Sequence, residues 1–284
     1  MWAAVKVRMK FSICNELFEG WAIEEVFHTA AELGYDGVEI APFTLADSVE
    51  AIPQSRRREI VRAAESSGVE IVGLHWLLVK PEGMYINHPD EAIRRRTRDY
   101  LDALIRFCGD LGGRVLVFGS PKQRNVHEGL TYVQAWEYAR ETFAHCAETA
   151  EDAGVYLCIE ALPLRETNFI NTVADAVRMV REVGKPHFRT MLDVKSMCSE
   201  GKPIPQIIEE AGDLAMHVHA NDAGGRGPGA GDTDFREIAA ALRKTGFDGY
   251  VSVEVFDFKP DPVTIARESL AYLRRIWEDY RPDS

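Results

Sequence analysis

Two hydrophobic rhythms alternate along this chain. Segments with an apolar residue at every third or fourth position end in glycine, and a short β-branched run follows within a few residues. The unit recurs as AELGYDGVEI (31–40), ESSGVEIVGL (65–74), GDLGGRVLVF (109–118), AEDAGVYLCIE (150–160) and LRKTGFDGYVSVE (242–254). Each glycine stands where a helix C-cap needs a positive φ. Each run that follows has strand length and strand composition. Filling the gaps predicts eight strands, near 10–15, 36–40, 69–75, 114–118, 155–160, 188–193, 214–219 and 249–254. Helical stripes lie between them: Val263, Ala266, Leu270, Leu273 and Trp277 form one, and Ile93, Leu101, Leu104, Cys108 and Leu111 another.

Strands that alternate with helices imply a parallel sheet with right-handed crossovers. Eight such units imply a closed (β/α)8 TIM barrel, an α/β fold, spanning 1–284 as one domain with 1–8 as a loose N-terminal extension. The alternative is an open doubly wound sheet. No G-x-G-x-x-G follows the first strand and there is no P-loop, so a nucleotide-binding open sheet has little support. The glycine-rich GGRGPGAGD (224–232) falls inside one βα unit and reads as a loop.

Composition changes the picture only by exclusion. The chain has 284 residues, 46% hydrophobic and 27% charged, with a formal net charge of -12. This is ordinary globular composition. A nucleic-acid binder would show a basic footprint, so no nucleic-acid partner is expected. The longest nearly apolar stretch, Ile71 to Val79, contains His75 and is too short to span a bilayer. The apolar piece of the N-terminus MWAAVKVRMKF is too short for a secretory leader. The five cysteines (Cys14, Cys108, Cys146, Cys158, Cys198) include no C-x-x-C pair and read as reduced, buried thiols. A cytoplasmic location is the expectation.

The chemistry lies at the strand ends. In a barrel the C-terminal strand ends carry the site. Strand five ends in Glu160, strand six in Asp193, strand seven in His219 and strand eight in Glu254, each after an apolar run and one βα unit apart. A single acid at a strand end is ordinarily the N-cap of the next helix. Four converging groups, three of them carboxylates, would repel one another and lose hydration unless a divalent cation offset both effects. Three carboxylates and one imidazole form a hard donor set, which favours Mn²⁺, with Mg²⁺ or Co²⁺ as alternatives, over a thiolate-type zinc site.

Other residues have weaker standing. His75 closes strand three and could reach a substrate or serve as a satisfied core histidine. His217, two residues before His219, faces the same way one layer deeper. Glu39 could hold a hydroxyl or a neighbouring residue. Trp76, Phe118, Trp21 and Phe256 form either an apolar sugar wall or barrel packing. Lys195, Arg165, Lys122, Arg124 and the amides of GGRGPGAGD are candidates for meeting an anion. Asp234, with Glu237 three later, reads as a helix cap, and Cys158 as buried.

At these residues the chain resembles the sugar phosphate isomerase/epimerase superfamily, the xylose isomerase-like barrels. The phrases that carry the resemblance are IEALPLRETNF (159–169), MLDVKSM (191–197), HVHANDAGGRGPGAGDTDF (217–235) and YVSVEVF (250–256). The resemblance implies that Glu160, Asp193, His219 and Glu254 hold a metal and that Glu160 and Glu254 form an acid/base pair on opposite faces of a sugar. It implies that Glu166 contacts substrate, and it offers Arg226 as the family's arginine beyond the metal histidine, one residue further on than in the family. Epimerases of this type carry a substrate-contacting histidine three residues past the aspartate; here that position is Ser196. The family also implies dimers or tetramers.

A carboxylate alone is too weak a base for a C–H bond beside a carbonyl, and a cation on the carbonyl and adjacent hydroxyl would stabilise the developing enediolate. The expected activity is therefore metal-dependent isomerisation or epimerisation of a keto sugar or sugar phosphate. Loss of a β-hydroxyl after the same proton removal would make the enzyme a dehydratase or lyase of a keto-cyclitol or oxo-sugar instead. A non-catalytic sugar-binding barrel is the alternative of another class.

Overall fold

The structure, a computed structural model, describes residues 8–279. The expected N-terminal extension, apart from Arg8, lies outside the described residues. Eight strands run in chain order: β1 (Lys10–Cys14), β2 (Gly37–Ile40), β3 (Glu70–Leu74), β4 (Val115–Phe118), β5 (Tyr156–Ile159), β6 (Phe188–Asp193), β7 (Ala215–Ala220) and β8 (Tyr250–Val253). All neighbours are parallel, and β1 pairs with β8 as well as with β2, so the sheet closes into a barrel. That closure removes the open-sheet alternative.

The helices outside it are α1 (Ile23–Leu33), α2 (Gln54–Ser67), α3 (Glu91–Asp110), α4 (Tyr132–Ala153), α5 (Val173–Val183), the one-turn α6 (Val194–Met197), α7 (Ile204–Ala211), α8 (Phe235–Lys244) and α9 (Pro262–Asp279). The predicted glycine stops are present. Gly34, Gly68 and Gly154 end α1, α2 and α4 in the left-handed region, each returning its N–H to the last helical carbonyls. Asp234 caps α8 by accepting from Arg236 N at 2.9 Å. Among the described residues, no helix is long and apolar enough to cross a membrane.

Strand alternation decides what faces where. Outward residues such as Leu116, Phe118 and Leu192 join one large core between sheet and helices. The inward residues Val72, Val115, Val117, Cys158 and Met191 form a separate small cluster inside the barrel. Two positions further along β5 and β6, the same inward rows reach Glu160 and Asp193. On the other side of the barrel the inward positions are polar and buried: Ser12, Glu39, His217 and Ser252. The barrel is therefore apolar inside along one arc and polar along the other, and the polar arc rises to the C-terminal mouth. Four of the five free cysteines are buried, but Cys198 is exposed, which corrects the expectation for that thiol.

Candidate active site

The C-terminal mouth brings Glu160, Asp193, His219 and Glu254 together. One donor atom from each lies within 4.8 Å of the others, and all four side chains are buried. Each comes from an inward row: Asp193 and His219 are register partners on β6 and β7, and Glu160 and Glu254 stand one residue beyond β5 and β8.

The surrounding residues fix these donors in place. Asp193 does act as a helix cap, as a lone strand-end acid would: its Oδ1 accepts from Ser196 N at 2.7 Å, starting α6. Its Oδ2 accepts from Asn221 Nδ2 at 2.7 Å, and Asn221 Oδ1 accepts from Lys195 N at 2.8 Å. His219 is held from below. Its Nε2 is 3.2 Å from both oxygens of Glu39, which also lies 2.8 Å from His217 Nε2. His219 Nδ1 faces Glu254 Oε2 at 3.1 Å without a hydrogen bond to it. An imidazole anchored through one nitrogen to a carboxylate, with the other nitrogen turned toward the facing acids, has the arrangement of a metal-bound histidine.

Glu160 is positioned through its backbone and by a missing side chain. Its carbonyl accepts from Arg124 Nη1 at 2.6 Å, while Arg124 Nη2 donates to Phe118 O at 2.5 Å, tying the ends of β4 and β5 together. A Cβ on Gly119 would stand 2.0 Å from Glu160 Oε2, so the glycine is what makes room for this carboxylate.

Electrostatics separates the acids. Burial, with the charges of Asp193 and Glu254, pushes the Glu160 carboxyl up to about 8. Burial and Glu254 raise Asp193. Burial also disfavours the charge on Glu254, but His219 outweighs it and holds Glu254 below the usual range. Burial likewise lowers His219, and Glu254 and Glu39 together bring it well above an ordinary imidazole. One carboxyl thus favours keeping its proton and a facing one favours losing it. Three carboxylates, an imidazole nitrogen facing them and a cradle cleared by Gly119 suit a hard divalent cation.

Of the other candidates, His75 is fully buried and lines the cleft with the quartet, its Nε2 2.6 Å from Glu16 Oε2. Burial lowers its pKa, but Glu16, Glu39 and Glu254 together raise it. Glu166 also lines the cleft, accepting from Lys195 Nζ at 3.0 Å. Ser196 is buried and does not line the cleft; Lys195, one residue earlier, reaches it instead. Arg226 is exposed and lines neither part of the cleft, so the structure does not bring it to the site.

Of the proposed aromatic wall, Trp76 and Phe256 line the cleft with ring centres 6.3 Å apart. Phe118 packs outward on Phe143, and Trp21 leans on Phe18. Arg124 is fully buried and cannot meet an anion at the surface. The amides of Ala223, Gly224 and Gly225 are engaged by Thr233 Oγ1, Asp222 Oδ1 and Asp222 O. Sequence reasoning missed Glu16 and Asn221. Their only signals were an acid just past strand one and the Asn-Asp pair just past strand seven.

A closed parallel barrel whose later strands end in acids and a histidine defines a class, and the chain belongs to the xylose isomerase-like TIM-barrel family, matching it over residues 27–276. Within the family it is similar to fructoselysine 3-epimerase of Shigella flexneri, 26% identical over 267 residues (89% of this chain, 93% of the relative). It is also similar to D-psicose 3-epimerase of Agrobacterium fabrum, 27% identical over 228 residues (80% of this chain, 76% of the relative). These relatives are isomerase-class enzymes. The crystal structure of a D-psicose 3-epimerase with D-tagatose from Clostridium cellulolyticum superposes with a TM-score of 0.83 at 22% identity, covering 95% of this chain and 99% of that one.

Proposed function

We infer that this protein is a divalent-metal-dependent epimerase of a keto sugar, inverting the carbon next to the carbonyl by taking a proton from one face and returning one to the other. The observation that carries this reading is the meeting of Glu160, Asp193, His219 and Glu254 within 4.8 Å at the barrel mouth. The names of its relatives support it, since they epimerise free or amino-acid-linked ketoses at carbon 3.

The four residues would hold the cation, with Mn²⁺ the first choice for an oxygen-rich donor set that includes one imidazole. When bound, it supplies positive charge to the carbonyl oxygen and so lowers the energy of the enolate.

The proton movements belong to the chain. Glu254, which faces His219 across 3.1 Å, is the base that takes the proton from one side of the sugar. Glu160, on the opposite side, is the acid that returns one. The two project from β5 and β8, three strands apart around the wall, so a sugar between them meets a carboxyl on each side. In the reverse direction they exchange roles. Trp76 and Phe256 give the sugar an apolar wall and screen the reacting carbon from water. Glu166 and His75 line the same cleft and serve as substrate contacts in this reading.

The test is exchange of the carbon-3 hydrogen in heavy water, followed by NMR, in the Mn²⁺-loaded protein with a panel of ketoses. Glu160→Gln and Glu254→Gln should each lower the rate by about 10²–10⁴-fold with the fold intact. Wild-type exchange in either variant, or release of an unsaturated product, overturns the reading.

A further inference from the structure

The cleft has two chambers, and the quartet accounts for only one of them. The inner chamber, with His75, Glu160, His219 and Glu254 in its wall, has a free volume of about 40 Å³, enough for only part of a sugar. The outer chamber measures about 480 Å³, within the size range of small-molecule sites. Trp76, Glu166, Lys195 and Phe256 line both and form the collar between them. A ketose with its carbonyl among the quartet extends outward through this collar, and whatever its far end carries lies in the outer chamber.

The charge there is unlike that of the inner chamber. Lys195 Nζ lies 3.0 Å from Glu166 Oε1 and 3.8 Å from the centre of the Phe256 ring. Arg165 Nε is 3.7 Å from the same Glu166 oxygen. Two cations share one carboxylate oxygen, so one positive charge is left over, in a chain of net charge -12. Near the quartet an anion would meet three carboxylates; in the outer chamber it meets a lysine and an arginine against the single carboxylate of Glu166. The collar also holds a buried donor without a partner, Trp76 Nε1. The backbone of Trp76 has φ 54°, a left-handed conformation that a bulky residue keeps only when its surroundings enforce it.

We propose that the outer chamber is a subsite for an anionic group, phosphate or carboxylate, carried on the far end of the ketose and held by Arg165 and Lys195. The proposal rests on the ketose reading of the inner chamber and adds the substrate class. The backbone amides of 223–225 take no part, being engaged within their own loop.

Calorimetric titration of the Mn²⁺-loaded full chain tests it with four compounds: D-fructose, its uncharged 6-O-methyl ether, D-fructose 6-phosphate, and a fructosyl amino acid with a free carboxylate. At least one anionic compound should bind about tenfold or more tighter than both uncharged ones, with an advantage that shrinks as salt rises. Gain by the phosphate alone or by the carboxylate alone identifies the source of the anion and supports the subsite. Arg165 is exposed, so Arg165→Glu should fold, and it should cut the advantage to about threefold or less; Lys195→Met should reduce it as well. Charged and uncharged sugars binding alike, or an advantage that survives Arg165→Glu whole, overturns the proposal. If none of the four exchanges its carbon-3 hydrogen, the epimerase reading fails, while the binding ratio still decides the subsite.

Discussion

Gly119 shows how much of a site can rest on an absent side chain. Its would-be Cβ overlaps Glu160 Oε2 at 2.0 Å, and backbone strain plays no part in the argument. Gly119→Ala should leave melting nearly unchanged but push the Glu160 carboxylate off its present position. Mn²⁺ affinity, read by calorimetry, should then fall about 10–100-fold, the range seen when groups supporting a ligand are lost. Unaltered affinity would mean that Glu160 does not hold the metal. Glu39 acts from the opposite side. Burial disfavours its charge, but His217 and His219 hold it well below the usual carboxylate range. It stays ionised beneath His219 and keeps that ring's upper nitrogen turned to the mouth.

Among the elements, the turn after β4 does the most for the site. Arg124 lies six residues past the end of the strand and folds back beneath it, donating to Phe118 O and Glu160 O with its guanidinium 5.1 Å from the Phe118 ring centre. Burial lowers its pKa to about 10, against the pull of Glu160 and Glu166, so it remains charged at neutral pH. Arg124→Met removes the charge and the fork together, taking the guanidinium donor from Glu160 O and leaving Phe118 O with only the bond from Glu160 N at 3.2 Å. Denaturant unfolding should show a loss of about 2–4 kcal/mol, and Arg124→Lys should recover only part of it, since an ammonium lacks the planar fork that spans both strands. Full stability in Arg124→Met would show that the clamp is dispensable. The loop between β7 and α8 is tied differently, around Asp222, whose carboxylate accepts from Gly224 N at 3.0 Å and Thr233 N at 3.2 Å. This internal bonding explains why a glycine-rich stretch with the look of an anion cradle offers no free amides at its start.

For the molecule as a whole, a cation that binds only the native barrel must stabilise it by mass action. At about a hundred times its dissociation constant the gain is about 2.7 kcal/mol, which at about 2–4 °C per kcal/mol for a domain of this size means a melting point about 5–10 °C higher. Stripping with a chelator should reverse it; a melting point indifferent to Mn²⁺ and chelator would remove the metal from the account. The same binding must be linked to protons. Glu160, with a pKa of about 8, holds a proton below that pH, and His219 is also raised, so metal entry releases at least one. Apparent affinity should rise with pH between 6 and 8, by about tenfold per unit for each proton released. Calorimetry in buffers of differing ionisation enthalpy counts those protons, and a flat affinity across that range would contradict the electrostatic picture.

The alternation of rhythms by itself determined the eight strands, to within a residue or so, and hence the barrel. Parity along the strands determined that Glu160, Asp193, His219 and Glu254 point inward at one end, because side-chain direction in a strand is a local property with period two. Only the tertiary structure decided what supports them. Glu39 meets His217 across 178 positions of chain, and His75 meets Glu16 across 59. It also removed Arg226 and Arg124 from the substrate side and put Lys195 where Ser196 was expected. The sequence marks Lys195 and Arg165 as candidates for meeting an anion, but the division of the cleft into a small acidic chamber and a larger one lined by both was invisible in it. Such features depend on which distant segments the closed sheet brings within hydrogen-bonding reach, and on the length and turn of each side chain once there, neither of which leaves a periodic trace in the order of residues.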